Sequence, residues 1–311
     1  MLALGLFLLM PSSPGRASGP TAVSACGTIS AAGNYAVTKN LTASGDCLVL
    51  TVNNIALDLQ GHKITGDGSG SAVTDGGNSI AFIIVANGKI SNFETGINLS
   101  TDSDQTADLI LNMTVTGNSA DGINIRGRDN NLSNVIANNN GGNGIVQGEC
   151  CDSLFNLEAS GNQGDGINLS SEDYVLNVTA NANAGNGVSG ESDSFVVNSI
   201  ANKNSGNGIE LLDDDNLVVS SIANGNSGNG ILLSEFDQAT DSIASKNQGN
   251  GIDFQQEFGL ATSVLTKNNT GDGVFLTCAG NAVRVSANGN ATNLDEDTSL
   301  GTCTNVLNKA P

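Results

Sequence analysis

A short tripeptide, formed by an acid or amide, a glycine, and isoleucine or valine, recurs eight times between residues 121 and 274. An asparagine stands four residues before each of its glycines, from Asn118 to Asn269. A period held within one residue over seven intervals marks a structural repeat, whatever the local propensities. The repeat glycines lie 21 or 22 residues apart, at Gly122, Gly144, Gly166, Gly187, Gly208, Gly230, Gly251 and Gly273.

Each repeat holds three short runs of β-forming residues, for example residues 209–211, 217–219 and 222–223. No stretch of ten residues combines helical periodicity with helix formers, which disfavours solenoids built from strands and helices. Stacking each strand on its equivalent one repeat later satisfies every internal strand edge. The sequence therefore predicts an all-β fold, a single-stranded right-handed parallel β-helix with 21 or 22 residues and three short strands per coil.

The repeated small residues have predicted structural roles. Glycine at a sharp bend permits a positive φ that isoleucine and valine do not adopt cheaply. Aligned asparagines can stack into a ladder whose amides donate and accept hydrogen bonds along the axis, as in other in-register β stacks. We therefore expect the glycine and asparagine columns to build the fold rather than to bind a ligand.

The 311-residue chain is interpreted as one domain, because no linker or break in composition divides it. Residues 18–66 form an N-terminal lead-in or cap, residues 67–281 form the coils, and residues 282–311 form a C-terminal cap. The apolar run 2–10 is too short to span a bilayer, and residues 1–17 resemble a signal peptide without its basic start. This predicts a secreted or periplasmic protein with no transmembrane segment. A lipoprotein anchor at Cys26 is the alternative, although Cys26 lies well beyond the apolar run.

Six cysteines in an exported chain predict disulfides. Cys26 and Cys47 are 21 residues apart and Cys278 and Cys303 are 25 apart, so each pair spans about one coil. Partners on adjacent coils lie about 4.8 Å apart along the axis, within disulfide reach. Both pairs would fasten an end of the stack.

The net charge of −20 limits the partners of the chain. Nucleic acid and anionic membrane surfaces repel such a chain unless cations bridge them. The expected partners are therefore cations, basic surfaces and polysaccharide or cell-surface glycans, with no nucleic acid, and we expect a monomer. Two Tyr and no Trp leave few of the aromatic side chains on which sugars usually stack.

Three features carry a resemblance to a known family. They are the opening from Cys26-Gly27 to Asp46-Cys47, the segment 57–66 around His62, and the Asn-x-x-Gly-Asn/Asp-Gly-Ile/Val repeats. The chain is similar to the right-handed parallel β-helix proteins of the pectin-lyase-like class, and more narrowly to the group of the periplasmic nitrous-oxide-reductase maturation factor. The resemblance spans nearly everything after residue 25 and implies the fold. It implies no single activity, because the class includes polysaccharide lyases, hydrolases, epimerases, adhesins and proteins without known chemistry.

The narrower resemblance also implies an association with copper, which the residue types do not support. His62 is the sole histidine and is more typical of a turn residue than of a ligand, and only three Met are present. Cys150 and Cys151 are adjacent, and adjacent residues of a strand point to opposite faces. We therefore expect two packed or half-exposed thiols there rather than a disulfide.

An acidic segment follows each repeat glycine by four to eight residues in the first seven repeats, and stacked coils would align these segments as an acidic ridge. Like charges about 5 to 10 Å apart repel unless they are solvated or bridged. Hard cations such as Ca²⁺ favour clustered carboxylate oxygens, so a calcium site is one interpretation and a solvated turn is the other. The acidic ridge comprises Asp129, Glu149, Asp152, Glu172, Asp173, Glu191, Asp193, Asp213, Asp214, Asp215, Glu235, Asp237 and Glu257. Its candidate cation ligands are Asp193, Asp213, Asp214, Asp215, Glu235 and Asp237.

An enzyme of this class would need a catalytic set. The resemblance implies carboxylate-bound Ca²⁺ with an Arg or Lys base in lyases, and Asp pairs near a His and a basic residue in hydrolases. The nearest arrangement is Arg126 and Arg128 facing Glu149, Asp152 and Asp173, which could hold an acidic sugar with carboxylates as acid and base. Charge pairing between loops is the alternative. The leading hypothesis is a non-catalytic binding or structural protein, associated with glycan or Ca²⁺ through the acidic ridge; a polysaccharide lyase or glycoside hydrolase is the alternative.

Overall fold

The computed structural model describes residues 19–100, 107–299 and 301–306. Its 33 short strands wind into a right-handed solenoid in which strands pair in parallel from coil to coil. Ile123, for example, aligns with Ile145, and Ile145 aligns with Ile167 on the next coil. The predicted parallel β-helix is confirmed. The predicted signal peptide, residues 1–17, lies outside the described residues.

The first sheet has 16 strands, and two of them, Leu41–Thr42 and Lys63–Thr65, lie off its main path. The strands of its main path are Thr21–Val23, Gly33–Val37, Ile55–Asp58, Ile83–Ser91, Leu109–Thr116, Asn131–Ser133, Ser153–Phe155, Tyr174–Leu176, Phe195–Val197, Leu217–Val219, Gln238–Thr240, Leu260–Thr262, Asn281–Val283 and Thr304–Val306.

The second sheet has 13 strands, and the third has four. The segment 18–66, interpreted above as a lead-in, already contributes strands to the first and second sheets. The second sheet consists of Gly27–Ile29, Leu48–Leu50, Ser71–Thr74, Thr95–Leu99, Ile123–Ile125, Ile145–Gln147, Ile167–Asn168, Val188–Gly190, Ile209–Leu211, Ile231–Leu233, Ile252–Phe254, Val274–Thr277 and Leu294–Asp297. The third sheet consists of Ile222–Asn224, Ile243–Ser245, Leu265–Lys267 and Ser286–Asn288, and single bridges from Thr114 to Ile222 extend its face.

The core is a stack of aligned apolar columns enclosed by the three sheets. In the second sheet the first residue of each regular strand points inward, as Ile145, Ile167 and Val188 do. On the face of the third sheet the inward residue is small, as at Ala180 and Ala201, which follow the bridged residues Thr179 and Ile200. Full burial of an isoleucine or valine side chain contributes about 1.5–3 kcal/mol. Burial repeated on every coil is therefore what holds the solenoid closed.

The predicted asparagine ladder is present inside the solenoid. The Asn140 amide nitrogen donates to Oδ1 of Asn162 at 3.1 Å and to the Val115 carbonyl at 3.3 Å. Its own Oδ1 accepts from the backbone and side-chain nitrogens of Asn118. Each inner amide is thus satisfied by the coils next to it. The ladder runs through Asn118, Asn140, Asn162, Asn183, Asn204, Asn226, Asn247, Asn269 and Asn290.

The repeat glycines are required for space rather than for a positive φ, so the reason predicted from the sequence is wrong. A Cβ on Gly144 would lie 2.5 Å from the Gly166 carbonyl oxygen and 2.7 Å from Nδ2 of Asn162. The left-handed backbone instead falls on other turn residues, such as Asn139 and Asn156, with φ of 55° and 56°. Glycine lets the asparagine ladder approach the backbone of the next coil.

Three disulfides join the cysteines. Cys26 bonds to Cys47 and Cys278 bonds to Cys303, one near each end of the stack. The third joins Cys150 to Cys151, so the expectation of two thiols is wrong. These residues lie in a turn rather than a strand, and Cys151 has a φ of 74°. The strand rule that separates neighbouring side chains therefore does not apply to them.

Within the described residues, the structure contains no helix long and apolar enough to cross a membrane.

Candidate functional site

The outward-pointing residues of the second sheet and a neighbouring column of acids and amides line one surface of the solenoid, which we call the second-sheet groove. Successive residues of a strand point to opposite faces, so the middle residue of each strand points away from the core. Ser189, Leu232 and Asp253 are nevertheless only 8%, 7% and 9% exposed, because neighbouring side chains and turns cover them. The floor of the groove is the aligned column Asn98, Asn124, Val146, Asn168, Ser189, Glu210, Leu232, Asp253, Phe275 and Asp295.

One wall of the groove is made by the acid or amide that precedes each repeat glycine. Its side-chain oxygen accepts a hydrogen bond from the same position on the next coil, as when Asn143 N donates to Oδ1 of Asp121 at 2.7 Å. The remaining polar atom can turn to the floor, as Oδ2 of Asp165 does when it accepts from the Ser189 hydroxyl at 2.8 Å. The wall column is Asp121, Asn143, Asp165, Asn186, Asn207, Asn229, Asn250 and Asp272.

Towards the C-terminal end, the second-sheet groove contains a cleft of about 530 Å³. The cleft is wide open to solvent. Phe275 presents an apolar ring between two floor carboxylates, because it aligns with Asp253 on one side and Asp295 on the other. The side chains that line the cleft include no Lys, Arg or His. They are Asn250, Asp253, Gln255, Asp272, Phe275, Thr277 and Asp297.

Two carboxyls of this cleft have their pKa values moved in opposite directions. Burial raises the pKa of Asp253, and the nearby charge of Asp272 adds to the effect, against hydrogen bonds from Asn250 and Asn229. The Asn229 amide donates to Oδ2 of Asp253 at 2.9 Å. Asp297 is solvent-exposed, and hydrogen bonds from the backbone N–H and the hydroxyl of Ser299 lower its pKa. The two environments therefore differ in direction: burial favours the protonated form of Asp253, and hydrogen bonds favour the ionised form of Asp297.

The acidic ridge predicted from the sequence separates into exposed and buried columns. In the turns that follow the second-sheet strands from Ile123–Ile125 to Ile231–Leu233, a residue with positive φ points outward and the next residue points inward. Glu172 and Asp193 have φ of 59° and 57° and are exposed, whereas the residues that follow them, Asp173 and Ser194, are buried. The exposed carboxylates include Asp129, Glu172, Glu191, Asp193, Asp213, Asp214 and Asp215, whereas Glu149, Glu235 and Glu257 are half-buried.

The buried column includes Asp152, Asp173 and Asp237. Their carboxyl oxygens accept hydrogen bonds from backbone N–H groups. Oδ1 of Asp152 accepts from Asn130 N at 2.6 Å, and Oδ1 of Asp173 accepts from Asp152 N at 2.9 Å. Oδ2 of Asp237 accepts from Ser234 N at 2.6 Å. The structure thus places these three sequence candidates inside the stack, as part of its hydrogen bonding. The buried column runs through Asp108, Asn130, Asp152, Asp173, Ser194, Asn216 and Asp237.

Burial shifts the pKa values of these inner carboxyls upward. It raises the pKa of Asp152 to about 8, with the charge of Asp173 as the next cause, and it raises that of Asp173 to about 7. The pKa values of Asp108 and Asp237 are also raised to about 7, again mainly by burial. The low dielectric of the interior disfavours the charged form of each group. The raised pKa values of these four carboxyls therefore accompany a structural role inside the stack, and they do not mark a site open to a ligand.

The two candidate arginines lie on the exposed turn that precedes the cysteine pair. Arg126 and Arg128 are both exposed, and Nη2 of Arg128 lies 3.6 Å from Sγ of Cys151. Oε2 of Glu172, on the next coil, lies 3.6 Å from the same sulfur. The turns therefore bring together an arginine, a disulfide and a glutamate.

Sequence reasoning also missed an aromatic strip on the outer face of the first sheet. Tyr174 and Phe195 are 39% and 40% exposed, and the ring centroid of Tyr174 lies 5.9 Å from that of Phe155 and 6.5 Å from that of Phe195. Composition suggested too few aromatic residues for such a surface. The coil period alone brings them together, because Tyr174 and Phe195 occupy equivalent positions of adjacent repeats.

Similar solved structures share this architecture at low sequence identity. The A-module of the Azotobacter vinelandii mannuronan C-5 epimerase AlgE4 superposes with a TM-score of 0.68 at 13% identity, covering 88% of this chain and 91% of that one. The periplasmic alginate epimerase AlgG gives 0.55 at 13% identity, over 91% of this chain and 77% of that one. The Dettilon tailspike protein gp208 gives 0.53 at 12% identity, over 88% and 62%. No protein-family model and no curated protein matches the sequence.

These likenesses establish the fold alone. The resemblance to the parallel β-helix proteins of the pectin-lyase-like class is confirmed at that level. The narrower resemblance to the nitrous-oxide-reductase maturation factor group stays a prediction.

Proposed function

We propose that this chain is an extracytoplasmic polysaccharide-active protein that binds a glycan along the second-sheet groove and hydrolyses it in the cleft around Asp253. The observation that carries the proposal is the pair Asp253 and Asp297, which line one cleft with pKa values moved apart. The similar solved structures support the substrate class, because two of them are named as epimerases of mannuronan or alginate. The disulfides support an oxidising compartment.

Hydrolysis of a glycosidic bond needs two carboxyl groups with different protonation. One protonates the leaving oxygen, and the other attacks the sugar or activates a water. Asp253, which burial holds in its protonated form to higher pH, is the general acid. Asp297, which hydrogen bonds from Ser299 hold ionised, is the base or nucleophile. Phe275 lies beside Asp253 and offers the apolar ring on which a sugar can stack.

The charge of the cleft favours a neutral glycan over a uronic acid polymer. Its lining includes Asp253, Asp272 and Asp297 and no cationic side chain. A polymer carrying a carboxylate on every sugar would meet like charge there without a compensating partner. In this respect we expect the substrate to differ from the mannuronan and alginate named for the similar structures.

The test is release of reducing ends from a panel of neutral and uronic acid polysaccharides. We expect turnover of a neutral glycan, with a bell-shaped pH profile in which the falling alkaline limb belongs to Asp253 and the falling acid limb to Asp297. Asp253→Asn and Asp297→Asn should each reduce the rate by about 100-fold or more, the contribution typical of a general acid or base. Asp241→Asn, at an exposed turn on another face, is the matched control and should retain full activity.

Binding is measured in parallel by affinity electrophoresis in the same glycans. Retention without turnover would favour the non-catalytic alternative, a glycan-binding protein that uses the same groove. Full activity of Asp253→Asn, or neither retention nor turnover across the panel, would contradict the proposal.

A further inference from the structure

The turn that follows strand Ile145–Gln147 gathers thiol, carboxylate and guanidinium chemistry away from the second-sheet groove. Cys150 and Cys151 are bonded to each other there and are both half-buried. Sγ of Cys151 lies 3.6 Å from Oε2 of Glu172 and 3.6 Å from Nη2 of Arg128. Both sulfurs and a Glu172 carboxylate oxygen lie within 4.8 Å of one another.

We propose that the Cys150–Cys151 disulfide opens selectively under mild reduction, and that the resulting dithiol binds a thiophilic divalent cation with Glu172 as the third ligand. In the oxidised form the two sulfurs are bonded to each other and cannot act as a thiolate pair. The metal site therefore exists only in the reduced protein, and the disulfide is its closed state.

Selective reduction follows from where the three disulfides lie. The Cα atoms of Cys150 and Cys151 are 3.8 Å apart because the residues are adjacent. Ordinary disulfides separate the Cα atoms by about 4.4–6.8 Å, and departures from that range make the bond easier to reduce. Both cysteines of the turn are half-buried, whereas each end disulfide joins a half-buried cysteine, Cys26 or Cys303, to a partner that is only 1% or 0% exposed. A reductant can therefore approach either cysteine of the turn, but only one cysteine of each end disulfide.

The chemistry balances with an external dithiol as the reductant. A thiolate of the reductant attacks one sulfur of the pair, the Cys150–Cys151 bond breaks, and a mixed disulfide forms. The second thiol of the reductant then displaces the protein sulfur, which leaves the reductant as a cyclic disulfide. The protein has gained two electrons and two protons.

The surroundings of the reduced pair suit a metal of intermediate or soft character. The positive charge of Arg128 beside Cys151 favours the thiolate, which is the form that binds metal. Two thiolates select Zn²⁺ or Cd²⁺ over hard cations, and a carboxylate oxygen such as that of Glu172 is an accepted additional ligand. Binding releases the two thiol protons, forms two metal–sulfur bonds, and leaves a fourth position for water.

The experiment uses the full chain with Cd²⁺ as the probe. After mild reduction and removal of the reductant, we expect two free thiols per chain, both assigned to Cys150 and Cys151 by mass spectrometry after alkylation. Titration of this form should give one Cd²⁺ per chain and an ultraviolet thiolate-to-metal charge-transfer band. The oxidised chain should give no such band.

Three variants separate this site from adventitious binding. The double variant Cys150→Ser with Cys151→Ser should lose the band, and Glu172→Gln should weaken Cd²⁺ binding by about tenfold or more, the loss that even outer partners of metal ligands produce. Glu191→Gln, an exposed carboxylate in the equivalent turn of the next coil, is the matched control and should bind like the unaltered chain. Far-ultraviolet circular dichroism confirms that each variant is folded.

Three results would overturn the proposal. One is equal reduction of all three disulfides. The second is a Cd²⁺ stoichiometry that survives the double serine variant in folded protein. The third is equal affinity in Glu172→Gln and Glu191→Gln, which would leave the thiolates as ligands but remove the three-residue site.

Discussion

Replacing Asp152 by asparagine should make the protein more stable in alkaline solution and less sensitive to pH. Asp152 belongs to the buried column, in which Asn130 and Asn216 already occupy equivalent places on other coils. In the unaltered protein, Asn130 N donates to Oδ1 of Asp152 at 2.6 Å. The amide oxygen of an asparagine at this position can accept the same hydrogen bond. Its new NH₂ can donate within its own turn, as the Asn216 amide does to the Leu212 carbonyl at 3.0 Å.

The magnitude comes from the proton that the folded chain holds and the unfolded chain releases. Burial raises the pKa of Asp152 from 3.8 to about 8. The folded state therefore binds more protons than the unfolded state between these values, and its extra stability is complete below about pH 4 and lost as the pH rises to about 8. At about 1.4 kcal/mol for each pH unit, this one carboxyl accounts for up to about 6 kcal/mol. Asp108, Asp173 and Asp237 act in the same direction.

The assay is equilibrium unfolding in guanidinium chloride at a series of pH values, followed by circular dichroism. The unaltered chain should lose stability between about pH 4 and pH 8, and Asp152→Asn should reduce the slope by about one proton, or 1.4 kcal/mol per pH unit. Asp241→Asn, on an exposed turn of another face, is the control and should change the slope far less, because its side chain is exposed rather than buried. If Asp152→Asn destabilises the protein equally at both ends of the series, or leaves the slope as it was, the argument from a buried protonated carboxyl is refuted.

Three further predictions concern the ladder, the acidic ridge and Arg128. Asn183→Ala should cost about 3 kcal/mol or more in free energy of unfolding, because it removes four hydrogen bonds and leaves buried partners such as Asn162 N unsatisfied. The control Asn177→Gly, at an exposed left-handed turn, should cost far less. Equal losses in the two variants would contradict the role of the ladder. The calcium interpretation of the acidic ridge predicts that excess Ca²⁺ raises the melting temperature above that in chelator and beyond an ionic-strength control, because a ligand of the folded state stabilises it. Unchanged melting would leave the solvated-turn interpretation. Arg128→Ala should leave turnover of a neutral glycan intact, since Arg128 lies on the turn rather than in the cleft; loss of turnover would instead favour the arginine-centred site.

The fold could be predicted from the sequence because the residues that determine it recur with a fixed period. The distance between Gly144 and Gly166 equals one coil, so the period alone aligns strands such as those that begin at Ile145 and Ile167. The asparagine ladder followed from the same alignment. The conformation of individual turns did not, because a positive φ at Glu172 is adopted by a residue that has no special preference for it.

That turn conformation explains why the site was less predictable than the fold. Counting from the repeat glycine placed Glu172 and Asp173 in one acidic ridge, yet a single left-handed residue sends the first outward and the second into the core. The cleft carboxylates were missed for a different reason. Asp253 stands in a strand of ordinary pattern, and Asp297 lies in the tail beyond the regular repeats. Only the stacking of strand on strand makes them neighbours of Phe275.

The inner asparagine ladder also determines how such a protein can change in length. Asn183 bonds only to the coil before it and the coil after it, so removing one whole repeat would let Asn162 meet Asn204 in the same geometry. A deletion shorter than one whole repeat would instead leave an amide of the ladder facing an apolar side chain. Evolution can therefore lengthen or shorten the ladder only in whole coils, and with it the length of the second-sheet groove.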